Sequence, residues 1–182
     1  MCCKKNVRNY YPIFSGTGDN PTIMKKELKI HYTEYDEQDL PQADRELLAK
    51  ATQMAQTAYA PYSHFKVGAA LRLKNGAVVC GSNQENAAYP SGLCAERVAV
   101  FSAAASYPDQ AIEALAITAI SSKPINHPIA PCGACRQSII EYEHKFRQPI
   151  RLILRGSSGK IAVFDSIGSL LPFQFNNDEL DF

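Results

Sequence analysis

Three cysteines and a glutamate set the chemistry open to this chain. Cys94 and Glu96 stand two residues apart in Ser91-Gly-Leu-Cys-Ala-Glu-Arg97, and Cys132 and Cys135 form a Cys-x-x-Cys pair in Pro131-Cys-Gly-Ala-Cys-Arg-Gln137. At the start of a helix, i, i+3 spacing puts two sulfurs on one side of the first turn, a common zinc half-site in which soft thiolate meets Zn²⁺. Cys94 raises the count to three. Three protein ligands leave a fourth tetrahedral position for water, the mark of a catalytic zinc, and the metal lowers that water's pKa towards neutrality. Glu96 then stands where it can move protons. The residues read as a hydrolytic site with one Zn²⁺ per subunit. A fourth ligand from Cys80 or His127 would instead close the site into a fold-stabilising zinc, which has no use for an acid beside the metal. Placing the cysteines at helix N-termini helps, because free N–H groups and the dipole stabilise thiolates. Three thiolates leave the site one negative charge in excess, which Arg97 or Arg136 could offset by donating to the sulfurs.

Cys-Ala-Glu followed by Pro-Cys-x-x-Cys resembles the cytidine and deoxycytidine deaminase family in its short, three-cysteine form, and the match runs from about Tyr59 to Phe175. The general zinc-deaminase signature includes a glutamate that is not a ligand. The resemblance implies an α/β layered fold, a mixed sheet of about five strands packed with helices. It implies that Glu96 takes a proton from water, passes it to pyrimidine N3 and then protonates the departing amine, so that attack at C4 yields uridine and ammonia. Arg97 matches the arginine that donates to the ligand sulfurs. Asn83 and Glu85 match an Asn-x-Glu that holds the ribose 3′-hydroxyl, while Phe65 and Val67 match the segment lining the base pocket, with Phe65 stacked on the pyrimidine. Ala95 is expected to offer backbone groups to the base. Lys66 stands where many relatives carry proline. Leu170-Leu-Pro-Phe-Gln-Phe175 resembles a carboxy-terminal segment whose aromatic reaches a neighbouring subunit, making Phe175 a candidate lid in a homotetramer; core packing is its competing role.

The totals bound these readings. A chain of 182 residues suits one domain with a sizeable core. Hydrophobic content of 46% with 20% charged residues is ordinary for a globular protein. A net charge of +1 gives no case for a nucleic acid polymer as partner. No apolar run approaches a membrane span, and the amino terminus lacks a signal-peptide core. With three of six cysteines in metal spacing, the protein reads as cytoplasmic and reduced.

The elements that must position the site follow from periodicity. Residues 1–40 are expected to be a loose N-terminal extension, with 41–182 as the single catalytic domain and Met24 as a candidate natural start. Cys2-Cys3 has no supporting context for lipidation or metal binding. Lys29–Tyr35 could add an edge strand. Leu47, Leu48, Ala51, Met54, Ala55 and Ala58 have helical spacing, with Asp44 as the expected N-cap and a stop before Pro61. Asn75-Gly76 between apolar runs predicts a hairpin of Val67–Leu73 with Ala77–Cys80. A helix is expected over Cys94–Ala105, a buried strand over Ile112–Ile120, and a helix over Gly133–Phe146. Strands over Ile150–Leu154 and Ile161–Phe164 follow, then a short helix over Ser166–Leu170. Strands alternating with helices imply a layered α/β sheet. Cys80 is expected to be a buried thiol, and His31, His127 and His144 surface or hydrogen-bonded residues. His64 is expected to support its loop.

The leading function is hydrolytic deamination of cytidine and deoxycytidine in pyrimidine salvage. A deaminase of another amino-heterocycle nucleoside and a non-catalytic zinc module are the alternatives.

Overall fold

The structure, a computed structural model, describes residues 24–180. The expectations for residues 1–20, including Cys2-Cys3, lie outside the described residues. Met24–His31 contains no helix or strand, and its Lys29 and Glu27 pair at 3.8 Å. From Tyr32 onward the described residues form one compact unit.

That unit is a six-stranded mixed sheet with helices on both faces. In chain order the elements are β1 (Thr33–Tyr35), α1 (Gln42–Gln56), β2 (Lys66–Leu73), β3 (Val78–Ser82), α2 (Ala95–Ser106), β4 (Ile112–Ile120), α3 (Gly133–Phe146), β5 (Arg151–Leu154) and β6 (Ile161–Phe164). A 3-10 turn at Ile167–Leu170 takes the place of the last expected helix, with Ser166 as its cap. The strand order is β1-β6-β5-β4-β2-β3. Only β4 and β5 run parallel among these pairs. A parallel pair needs a crossover, and α3 supplies it. The sixth strand, beyond the five expected, is β1, a three-residue edge paired with β6.

Period-2 alternation sorts the side chains of β4. Leu115 and Ile117 enter the core beneath α2 and α3, whereas Ala114 and Ala116 face α1. Each buried Leu or Ile contributes about 1.5–3 kcal/mol. The alanine face lets α1 lie close. Gly68 goes further: a Cβ there would fall 2.0 Å from the Ala51 carbonyl oxygen.

Asp44 is not the N-cap of α1. Pro41 holds that place, and Asp44 lies buried within the first turn, 2.9 Å from Arg151 Nε and 3.5 Å from Arg72 Nη2. The two guanidiniums draw the carboxylate inward and pin α1 to β2 and β5, so a capping role was lost to ion pairing. β3 extends to Ser82, past the expected end at Cys80, because Gly81 and Ser82 continue the ladder with β2. Cys80 itself is half-buried rather than buried. Among the described residues, no helix is long and apolar enough to cross a membrane.

Candidate active site

Cys94 is the N-cap of α2 and Cys132 the N-cap of α3, both in extended backbone geometry. Cys135 lies one turn into α3 and is fully buried. The two helices thus present three sulfurs to one point. Cys132 Sγ lies 3.9 Å from Cys94 Sγ and 3.4 Å from Cys135 Sγ, and all three ligand atoms are within 4.8 Å of one another. Sulfurs sharing a tetrahedral zinc at about 2.3 Å stand about 3.8 Å apart, so the cluster has the dimensions of a zinc site. It is the sole such group among the described residues, and neither Cys80 nor His127 belongs to it. A closed four-ligand site therefore finds no fourth protein ligand here.

The approach of α2 to the sheet depends on Gly81. A Cβ at that position would meet the Ala95 carbonyl oxygen at 2.5 Å and the Ala99 amide nitrogen at 2.6 Å. Only glycine lets β3 carry the first turn of α2, and with it Cys94, this close.

Electrostatics follow from this crowding. The Cys135 thiol donates to Cys94, and with further help from Arg97 and Cys132 it holds the Cys94 thiol down to about 5 despite burial. Arg97 Nη2 lies 3.9 Å from Cys94 Sγ. Arg136 does not take the place beside the sulfurs that its sequence position offered. It donates to the carbonyls of Pro131 at 2.8 Å and Leu170 at 2.9 Å, which fastens the start of α3 to the carboxy-terminal segment. Glu96 is buried at 5% exposure in the first turn of α2, and burial pushes its carboxyl above the ordinary value, with the Cys94 thiolate adding to the rise. Its interaction with the Cys135 thiol acts in the opposite direction.

Asn83, Gln84 and Glu85 continue β3 as a short extended run between two others. Gln84 bridges Tyr59 on one side and Leu93 on the other, the latter by paired N–H···O contacts of 2.9 Å. Leu93 immediately precedes Cys94, so the backbone links the polar run directly to the metal cluster. Alternation sends Asn83 and Glu85 to one side, while Gln84 turns back to Ser82. Asn83 Oδ1 accepts from Val67 N at 2.7 Å and its Nδ2 donates to the Phe65 carbonyl at 2.9 Å. These two bonds flank Lys66, so the segment is held without a proline.

A cavity of about 580 Å³ joins these parts. Its lining includes Cys94, Arg97, Asn83 and Glu85, together with Tyr62, Ser63, Gln84, Asn86, Tyr89, Gly92 and Leu93. Phe65, Ala95, Glu96, Cys132 and Cys135 are not among the lining residues: Phe65 is half-buried, Ala95 and Glu96 are buried in the first turn of α2, and of the three cysteines Cys94 alone reaches the cavity. Phe175 is 59% exposed, which removes core packing as its role, and its carbonyl accepts from Gln137 Nε2 at 2.8 Å, beside the start of α3. His64 is exposed with φ 55, His31 and His127 are exposed, and His144 is half-buried with Nε2 unpartnered. The sequence reading missed Tyr62, Ser63 and Tyr89. Their signal was faint, since turn residues near Pro61 and Pro90 look alike whether or not they border a cavity.

Comparison with known proteins agrees with this geometry. Residues 41–147 match the family described as the cytidine and deoxycytidylate deaminase zinc-binding region. A cytidine deaminase of Halalkalibacterium halodurans is 46% identical over 139 residues, covering 76% of this chain and 98% of that one. One from Sporosarcina psychrophila is 37% identical over 136 residues, covering 75% and 93%. Among solved structures, a cytidine deaminase from Burkholderia pseudomallei superposes with a TM-score of 0.62 at 42% identity, covering 71% of this chain and 97% of that one.

Proposed function

Because this chain belongs to the cytidine and deoxycytidylate deaminase family, a family of zinc-binding hydrolytic deaminases, we propose that it converts free cytidine and deoxycytidine to uridine and deoxyuridine, releasing ammonia, in pyrimidine salvage. One observation carries the reading: a single cavity runs from the zinc-sized cysteine cluster at Cys94 to the Asn83–Glu85 pair. Bound through Cys94, Cys132 and Cys135, zinc would supply a Lewis acid that makes a water nucleophilic near neutral pH. Glu96 takes a proton from the attacking water and delivers it to N3 of the pyrimidine, then takes the second proton from the hydroxyl so added at C4 and passes it to the amino group, which leaves as ammonia while C4 becomes a carbonyl. One carboxylate serves as base and then acid because each turnover regenerates it. Arg97, set against Cys94, offsets the negative charge of the thiolates. Phe65 stacks on the base and Ala95 offers its backbone to the base edge, after ligand entry brings the base to them.

The sugar end favours a nucleoside over a nucleotide. Glu85 stands in the cavity as a carboxylate held below its ordinary range by the Ser63 hydroxyl and the Tyr62 amide. Arg97, the sole cation among the lining residues, is engaged with Cys94. A phosphate would meet an anion there and find no free positive partner.

Three free thiol ligands need a reducing setting, which supports a cytoplasmic site of action. The start of the family match at residue 41 supports a catalytic domain over 41–182, to which Thr33–Tyr35 adds an edge strand and Leu40 a buried side chain. Exposed Tyr89, Phe101, Phe173 and Phe175 are the kind of surface that subunit contacts bury, which supports a homotetramer with Phe175 as a lid on a neighbour's site.

The deciding experiment follows cytidine absorbance with zinc-loaded protein, alongside Glu96→Ala and with deoxycytidylate as a second substrate. Turnover of cytidine by the parent, a loss of about 10²–10⁴-fold in the variant with zinc retained, and poor use of deoxycytidylate are expected. A variant as active as the parent would remove Glu96 from the chemistry, and preferred use of deoxycytidylate would overturn the nucleoside reading.

A further inference from the structure

The segment Tyr62–Val67 hangs from two side chains of the neighbouring run. Asn83 grips its far end through Phe65 and Val67. Glu85 grips its near end: Oε2 accepts from the amides of Tyr62 at 2.9 Å and Ser63 at 3.3 Å, and Oε1 accepts from the Ser63 hydroxyl in a short contact. Ser63 also works in the other direction, since its Oγ accepts from the Phe65 amide at 3.0 Å. That turn requires His64 between them to adopt φ 55, the left-handed conformation unusual for a residue with a Cβ.

Counting donors and acceptors shows what remains for a ligand. A carboxylate offers about four acceptor positions, and the protein takes three at Glu85. The Asn83 amide has two N–H donors, and one is spent on Phe65. One acceptor position at Glu85 and one donor at Asn83 are left, beside the second lone pair of Asn83 Oδ1, and together they can complement a hydroxyl that both donates and accepts.

We propose that Ser63 is the positioning residue of the sugar end: its hydroxyl holds Glu85 as an acceptor for one ligand hydroxyl and ties that carboxylate to the Phe65–Val67 segment. The inference rests on the nucleoside reading and deepens it. Ser63 touches neither the reacting atoms nor the cysteines. Its influence reaches the ligand through Glu85, and its bond from the Phe65 amide ties that carboxylate to the neighbouring segment.

Three variants and two readouts test this. Ser63→Ala should raise KM for cytidine about 10-fold while kcat stays within about twofold, as expected for loss of one hydrogen bond to a charged group. Ser63→Thr, which keeps the hydroxyl, should restore KM. The penalty should vanish on 3′-deoxycytidine and in the Glu85→Ala background, because neither retains the contact that Ser63 supports. A penalty of equal size on both substrates would mean a general structural role and overturn the assignment. The second readout needs no turnover: carbon-13 titration of the Glu85 carboxyl should move up in Ser63→Ala, with His64 beside it left in place in both proteins. An unmoved titration strikes down the Ser63 claim alone. A folded, zinc-loaded parent that turns over no cytosine nucleoside strikes down the nucleoside reading, and with it the sugar role given to Ser63.

Discussion

Gly81→Ala tests the contact that sets the metal cluster. The new Cβ would lie 2.5 Å from the Ala95 carbonyl oxygen and 2.6 Å from the Ala99 amide nitrogen. Both are backbone atoms of α2, so no rotamer change can relieve the overlap. The helix must retreat from β3 by roughly 1 Å, and overpacking of this kind costs about 1–3 kcal/mol. For a chain of this size that is a fall of roughly 2–12 °C in Tm. The same retreat carries Cys94 away from Cys132 and Cys135, whereas metal–ligand distances tolerate about 0.2 Å. Zinc affinity, measured by competition with a coloured chelator, should fall about 10-fold or more. Gly133→Ala is the control, since Gly133 sits between two cluster cysteines yet a Cβ there meets nothing within 4 Å. It should hold zinc as the parent does, with stability equal or up to about 1 kcal/mol higher. A Gly81→Ala protein that melts early but binds zinc like the parent would refute the claim that β3 positions Cys94. Loss of zinc in Gly133→Ala would show that the added methyl, not the position of α2, disturbs the cluster.

Two further outcomes are expected. Glu143 accepts from the Ile150 and Ile167 amides and the Ser166 hydroxyl, and burial pushes its carboxyl above the ordinary 4.5 although those bonds pull it part of the way back. The folded chain then keeps this proton to higher pH than the unfolded chain, so the stability it contributes is full below 4.5 and declines as pH rises through the window above. Urea midpoints from pH 4.5 to 7 should accordingly fall less in Glu143→Gln than in the parent, and parallel profiles would contradict this. Light scattering should give a mass of four 20.0 kDa subunits, with Phe175→Ala raising KM; a mass near one subunit would remove both the tetramer and the lid.

Much of the fold was legible because its signals are local. Gly133–Phe146 has the predicted bounds, since a Cys-x-x-Cys start and continuous helical spacing leave little choice. Ile112–Ile120 read as buried because a run that is apolar apart from Glu113 and Thr118 needs cover on both faces, and most of it has that cover. The failures share another cause. Asp44 has the residue type of a cap, but two arginines from β2 and β5, far away in sequence, reach it first. Arg136 sits beside a cluster cysteine in sequence, yet its guanidinium turns to the local carbonyl of Pro131 and to that of Leu170, brought near by the carboxy-terminal segment. Neighbours along a helix start do not share a direction, so adjacency in sequence could not say which arginine meets the thiols.

The sequence by itself determined the donor set. Three thiols near helix starts and one acid two residues from the first already single out the candidate metal donors and the candidate proton carrier, because residue type and i, i+3 spacing decide what can ligate. The tertiary structure decided how that group meets a ligand. Only folding brings Gln84 between Tyr59 and Leu93, so that the Asn83–Glu85 run and Cys94 of the cysteine cluster border one cavity. Only folding shows Glu85 and Asn83 already bound to the segment Tyr62–Val67, through which Ser63 enters the site. Ligand chemistry is a property of side chains, but the directions in which polar atoms remain free depend on backbone from distant parts of the chain.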